Sequence, residues 1–188
     1  MLIFVLGLVL FFAIHLVPIL APNIKDNVVS KYSKSMWMRS YTAISLIGFL
    51  LIVFGWGQFR PIAPIAYDPP SWGRDATLSL VWLAFILFSI PRKKPGRILV
   101  IVKHPMVTGV ILWSIGHLLV NGDLASVIVF GSFLAFALIS RFSKIVKGDE
   151  EVKFVSYRSD IIGIIGGTVL YAIFVLWGHL WLFGVSPI

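Results

Sequence analysis

Six apolar runs, at residues 2–20, 41–56, 78–90, 98–120, 124–139 and 161–185, occupy most of this chain and leave short polar connections between them. About 20 apolar residues in a helix span the roughly 30 Å hydrocarbon core of a bilayer, where lipid accepts an apolar outer face. The 188 residues are 59% hydrophobic and 13% charged, about half the charged share of an ordinary soluble domain. The runs therefore predict an all-α integral membrane bundle of about six transmembrane helices, forming a single domain over residues 1–188. A water-soluble enzyme, a disordered tail and a disulfide-stapled secreted domain are excluded. The third run is short for a crossing unless Ala76 and Thr77 extend it. The fourth begins best at His104, because Pro105 suits the first turn of a helix. Residues 1–10 carry no basic n-region and no cleavage pattern follows them, so the first run is expected to be a retained span.

Charge follows the connections in alternation. The first holds Lys25, Lys31, Lys34 and Arg39, the third Arg92, Lys93, Lys94, Arg97 and Lys103, and the fifth Arg141, Lys144, Lys147, Lys153 and Arg158. The second has only Arg60 and Arg74, while the fourth and the C-terminal tail have none. By the positive-inside rule, the odd connections lie in the cytoplasm and both termini lie outside. The net charge of +8 is thus topology plus attraction to anionic headgroups, and no nucleic-acid partner is expected. The lipid bilayer is the expected partner. Prolines 61, 64, 69 and 70, with Tyr67 and Trp72, predict an extended second connection along the membrane surface. No internal repeat of broken helices supports a transporter.

The chemistry left to such a chain is narrow. The absence of cysteine excludes thiolate catalysis, zinc–cysteine sites, iron–sulfur clusters and covalently attached haem. No Asp or Glu lies well inside a run, which argues against a proton relay, a di-iron carboxylate centre and a cation-coupled carrier. All four histidines, His15, His104, His117 and His179, fall in or at the edge of a run. Neutral imidazole ligates metals, and an ionisable group at membrane depth marks function. Haem suits this composition best, because two imidazoles can complete an iron's axial positions while apolar walls hold the porphyrin.

Helical spacing ranks the histidines. Ser114, His117 and Asn121 share one face, and Trp113 lies one turn before His117. Gly109 and Gly116 would admit either a neighbouring helix or a flat ring. His104 lies about 20 Å from His117 along the helix and on its opposite side, so one cofactor cannot take both. Each histidine also has an ordinary structural reading. His15 would bond a main-chain carbonyl, and His117 would bond within the bundle. His104 would face the interface or a phosphate beside Lys103, and His179 would sit in an aromatic belt between Trp177 and Trp181. On depth alone His117 matches His179 better than His15, while tilt would reconcile His15 with His117.

The stretch Lys103-His104-Pro105-Met106-x-x-Gly109-x-x-x-Trp113-Ser114-x-Gly116-His117-Leu118-Leu119-x-Asn121-Gly122-Asp123 closely resembles the motif of the NnrU family of bacterial membrane proteins. The opening His15-x-x-Pro18 and the closing His179-x-x-x-Phe183-Gly184-Val185-Ser186-Pro187 resemble that family's ends. The resemblance implies a multi-pass protein of the bacterial inner membrane, linked to denitrification and nitric oxide metabolism. It also implies kinship with the plastid 15-cis-zeta-carotene isomerase, a haem b enzyme whose ligand histidines correspond to His15 and His117. Ser114 stands at that relative's cysteine, where a hydroxyl is a poor ligand, so its redox-dependent ligand switch does not carry over. The expectation is one haem b on His15 and His117, with His179 the competing ligand. Ser114 and Asn121 would orient the imidazole directly or through water. The ligand or substrate would be a hydrophobic small molecule or a gas such as nitric oxide.

A second resemblance runs through His104-Pro105-x-x-x-Gly109 and Asp149-Glu150-Glu151-x-x-x-x-x-Tyr157 to the isoprenylcysteine carboxyl methyltransferase group. It implies S-adenosylmethionine bound on the cytoplasmic side. The ordinary reading of that acidic run is a solvated face. A cofactor-free assembly protein is the third alternative.

Overall fold

A computed structural model describes residues 1–149 and 151–188. Glu150, part of the acidic run just named, lies outside the described residues. Regular structure among them is helical, apart from an isolated β-bridge between Ile65 and Asp123. In chain order the helices are α1 (Leu2–Leu20), α2 (Pro22–Lys31), α3 (Lys34–Phe59), α4 (Gly73–Phe88), α5 (Arg97–Val102), α6 (Pro105–Leu118), α7 (Leu124–Val146), α8 (Arg158–Ile173) and α9 (His179–Phe183). A short 3-10 turn, Arg60–Ile62, follows α3, and a wider π-type turn, Phe174–Gly178, joins α8 to α9.

Four stretches are long and apolar enough to cross a membrane: Leu2–Leu20, Lys34–Ile62, Leu124–Val146 and Arg158–Phe183. The other two expected spans are shorter. Helix α4 has 16 residues and α6 has 14, about 24 and 21 Å at 1.5 Å per residue. The expected fourth run is broken in two, because the chain turns at Lys103 (φ 59°, ψ −46°) between α5 and α6. The His104 N–H donates to the Val102 carbonyl at 2.6 Å across that residue, which closes a γ-turn of the rare positive-φ kind. Pro105 then starts α6, where its missing N–H costs nothing. The first connection, expected to be a loop, is largely the helix α2.

The chain forms two compact units, and α7 contributes to both. In the unit of Met1–Ala66 and Asp123–Ser132, α1 packs along α3 around Phe4, Ile52 and Phe59. Small residues set their separation. A Cβ at Gly55 would sit 2.5 Å from the Phe4 nitrogen, and one at Gly7 2.6 Å from the Ile52 nitrogen. Close approach at glycine is how apolar helices associate in lipid, where hydrophobic driving force between them is absent. The Ser33 hydroxyl caps α3 by accepting from the Met36 N–H at 3.0 Å. The Trp56 indole donates to Ser126 at 3.2 Å, and the Asp123 carboxylate accepts from the Ser126 N–H at 2.8 Å at the start of α7. Part of the proline-rich connection is tied down here, since the Leu124 N–H donates to the Pro64 carbonyl at 2.9 Å.

In the unit of Tyr67–Gly122 and Phe133–Ile188, α4 packs against both α6 and α8. Trp82 donates to Thr168 at 3.0 Å and Tyr171 to the Leu78 carbonyl at 3.0 Å, so α8 is fixed to α4 by polar as well as apolar contacts. The segment before α5 is fastened to the start of α8. The buried Asp160 carboxylate accepts from the Arg97 N–H at 2.7 Å and the Ile98 N–H at 3.1 Å, which caps α5 from a distant helix. Gly96 leaves the room this requires, since a Cβ there would overlap the carboxylate. Ser159 donates to the Lys94 carbonyl, and the Val155 and Ser156 N–H groups both donate to the Pro95 carbonyl. Replacing Asp160 with alanine removes the partner of two part-buried donors, at up to about 1–3 kcal/mol each. We expect a detergent-solubilised Asp160→Ala variant to lose several degrees of thermal stability, with faster hydrogen exchange at Arg97 and Ile98. An unchanged melting profile would show the clamp to be dispensable.

Candidate functional site

His117 lies in the last turn of α6, and its surroundings come mostly from its own helix. A carbonyl can only accept, so the 2.9 Å contact between Nδ1 and the Trp113 carbonyl places the ring proton on Nδ1. The Trp113 ring lies 4.9 Å from the imidazole and meets Phe133 edge-on at 5.4 Å. Below the histidine, the Asn121 amide donates to the His117 main-chain carbonyl at 2.9 Å. The Tyr67 hydroxyl reaches the carbonyls of Leu118 and Asn121, the second at 3.2 Å. Tyr67, read from sequence as part of a surface loop, therefore secures the C-terminal end of α6.

Three expectations for this helix are revised. The Asn121 amide holds main chain rather than the imidazole, because the Trp113 carbonyl one turn back already satisfies Nδ1. Ser114 is completely buried, and among the described residues its hydroxyl makes no direct hydrogen bond to the ring. The space at Gly109 and Gly116 admits a neighbouring helix rather than a flat ring. A Cβ at Gly109 would strike the Phe88 ring at 2.5 Å, and one at Gly116 would lie 3.3 Å from Val81, both on α4.

His15 belongs to the first unit. Its Nδ1 donates to the Phe11 carbonyl at 2.7 Å, and its ring stacks on Phe11 at 4.1 Å with Tyr41 at 5.1 Å. His179 belongs to the same unit as His117. It follows the π-type turn, donates Nδ1–H to the Val185 carbonyl at 2.7 Å and lies between the rings of Phe174 and Phe183. All three span histidines thus share one local device, a ring N–H spent on a main-chain carbonyl.

His104 differs from them. At the start of α6 its Nε2 meets the Asp149 carboxylate at 3.1 Å. Arg141, near the end of α7, grips the same carboxylate in a two-point fork at 2.7 and 2.8 Å, and Lys103 approaches it at 3.3 Å. The Asp149 side chain is only 11% exposed, which replaces the expected solvated face with a closed cluster. Nothing short-range predicts this, since Asp149 lies 45 residues from His104. The Arg141 guanidinium, helped by His104 and Lys103, holds the Asp149 carboxyl well below the usual carboxylate value of 3.8. A depressed folded value means that this stabilisation is complete above the unfolded value and fades only as pH falls below it. We therefore expect the cluster to survive titration from pH 7 to pH 5, with no change in the Asp149 carboxylate infrared band. Protonation within that window would contradict the geometry.

Among the described residues, no group of three or more His, Cys, Asp or Glu gathers as metal ligands.

Long apolar helices with imidazole and aromatic side chains inside them define an all-helical membrane protein. Within that class the chain belongs to the NnrU family, whose model, described as NnrU protein, matches residues 3–187. No curated protein and no solved structure matches it.

Proposed function

We propose that this NnrU-family protein holds one haem b, with His15 and His117 as axial ligands, inside a single multi-pass domain. The observation that carries the reading is the shared hydrogen bond of the two histidines, at 2.7 Å to Phe11 and 2.9 Å to Trp113. With the proton on Nδ1, the lone pair belongs to Nε2, the atom that coordinates iron, and the carbonyl partner raises its basicity. The haem, when bound, would supply a redox-active iron. The chain's own residues fix the ligand tautomer, and Trp113 and Phe133 wall the site with aromatic surface. Helices α4 and α6 complete six spans, with both termini outside and the odd connections in the cytoplasm of a bacterial inner membrane. The work of the site is nitric oxide-linked chemistry or redox and isomerase chemistry on a hydrophobic molecule, in line with the resemblance to 15-cis-zeta-carotene isomerase.

The absorption spectrum of protein purified from cells supplied with haem tests this. A Soret band with one haem per chain is expected, and its absence ends the proposal. His179 competes for the second ligand place, because it carries the same Nδ1 bond to a main-chain carbonyl and lies in the same unit as His117. Separate His15→Ala and His179→Ala variants decide between them: the one that converts the spectrum from six- to five-coordinate has lost the true ligand. The contact of His104 with Asp149 favours the methyltransferase reading as the alternative. Binding of S-adenosylmethionine in equilibrium dialysis by haem-free protein would select it.

A further inference from the structure

We propose that the cluster of Lys103, His104, Arg141 and Asp149 is a headgroup site for an anionic phospholipid. The inference requires the membrane setting but not the haem. Among the described residues two permanent cations, Arg141 and Lys103, and one imidazole face a single carboxylate, so these groups together carry excess positive charge. Arg141 is committed to Asp149 by its fork. Lys103 is not: its ammonium has three donors, makes one ion-pair contact and is 40% exposed.

Position and surroundings identify the anion. Arg141 lies near the end of the membrane-length helix α7, about 26 Å along the axis from Leu124, which is phosphate depth for a roughly 30 Å core. Apolar side chains rim the cluster in sequence on both sides, and Ile101, Met106, Phe142 and Ile145 are all more than half exposed. In a bilayer such side chains face acyl chains, so a molecule that offers phosphate to Lys103 and hydrocarbon to this rim satisfies both. Basic residues at membrane depth recruit anionic lipid in this way. The γ-turn at Lys103 is what brings its side chain to the cluster, since it breaks the helix between α5 and α6.

Native mass spectrometry of the full-length protein in detergent, with phosphatidylglycerol or phosphatidylcholine of matched acyl chains, tests the assignment. Phosphatidylglycerol is expected to be retained preferentially, by about fivefold for each participating cation. Lys103→Gln should remove that preference and, because its side chain is partly exposed, should leave the fold intact. Asp149→Asn removes the internal carboxylate that competes for the same cations and should raise phosphatidylglycerol retention. Millimolar inorganic phosphate should fail to displace the lipid. Equal retention of the two lipids, lowered retention in Asp149→Asn, or displacement by phosphate would each overturn the proposal.

Discussion

Replacing His117 with alanine is expected to abolish the Soret band of the purified protein, while replacing His104 leaves it intact. The substitution removes the imidazole, with its bond to the Trp113 carbonyl and its contact with the Trp113 ring, but leaves the main-chain bonds at the end of α6 in place. The Asn121 amide bonds the main-chain carbonyl of residue 117, which survives the change, and Tyr67 still reaches Leu118 and Asn121. Helicity and monodispersity should therefore match the parent chain, which separates ligand loss from misfolding. Added imidazole should partly restore the band by entering the vacated space. His104 is the proper control because it is engaged with Asp149 at the opposite end of the same helix. A Soret band that persists in His117→Ala, at parent intensity, would remove this residue from the coordination of iron.

The second large effect concerns the fold. Gly55→Leu should cost at least about 3 kcal/mol and prevent recovery of monodisperse protein, because the new Cβ would lie 2.5 Å from main-chain nitrogen on α1. A flexible side chain could move aside; helix backbone cannot, so α1 and α3 must separate. Gly57 lies two residues further along α3 with nothing within 4 Å of its would-be Cβ. Gly57→Ala should be neutral or stabilising by up to about 1 kcal/mol, the helix propensity difference. Fluorescence-detected size exclusion after graded heating compares the two directly. Similar behaviour of both variants would show that the α1–α3 crossing tolerates a wider spacing.

Hydrophobic patterning made the membrane class legible, and the ends of some helices as well. The run at 2–20 coincides with α1, and the start of α6 at Pro105 follows from the proline rule. Patterning failed where helix continues through polar sequence. Helix α3 begins at Lys34, seven residues before its apolar run, because Ser33 caps it and interfacial Trp37 is buried. The interruption at Lys103-His104-Pro105 was legible from its polar residues and proline, but the helix α5 before it and the positive φ at Lys103 have no residue signature. At the candidate site, the spacing of Ser114, His117 and Asn121 assumed one continuous helix, whereas α6 ends at Leu118, and spacing does not say which atoms these residues bond. The Trp113 carbonyl belongs to main chain, which side-chain arithmetic does not count. Asp160 resembled an ordinary first-turn acid of α8, and its service to α5 depends on tertiary contact. The Asp149 cluster stayed hidden for the same reason.

Asp160 also constrains how the protein is made. Its carboxylate leaves the ribosome 62 and 63 residues after the two amides it serves. Until Asp160 has been synthesised, the turn preceding α5 has no carboxylate for those groups, which water must serve instead. Closure of this region therefore waits for the start of α8, whatever order the earlier segments entered the membrane. A nascent chain stalled before Arg158 would hold Arg97 and Ile98 open to protease, and completing translation would close them.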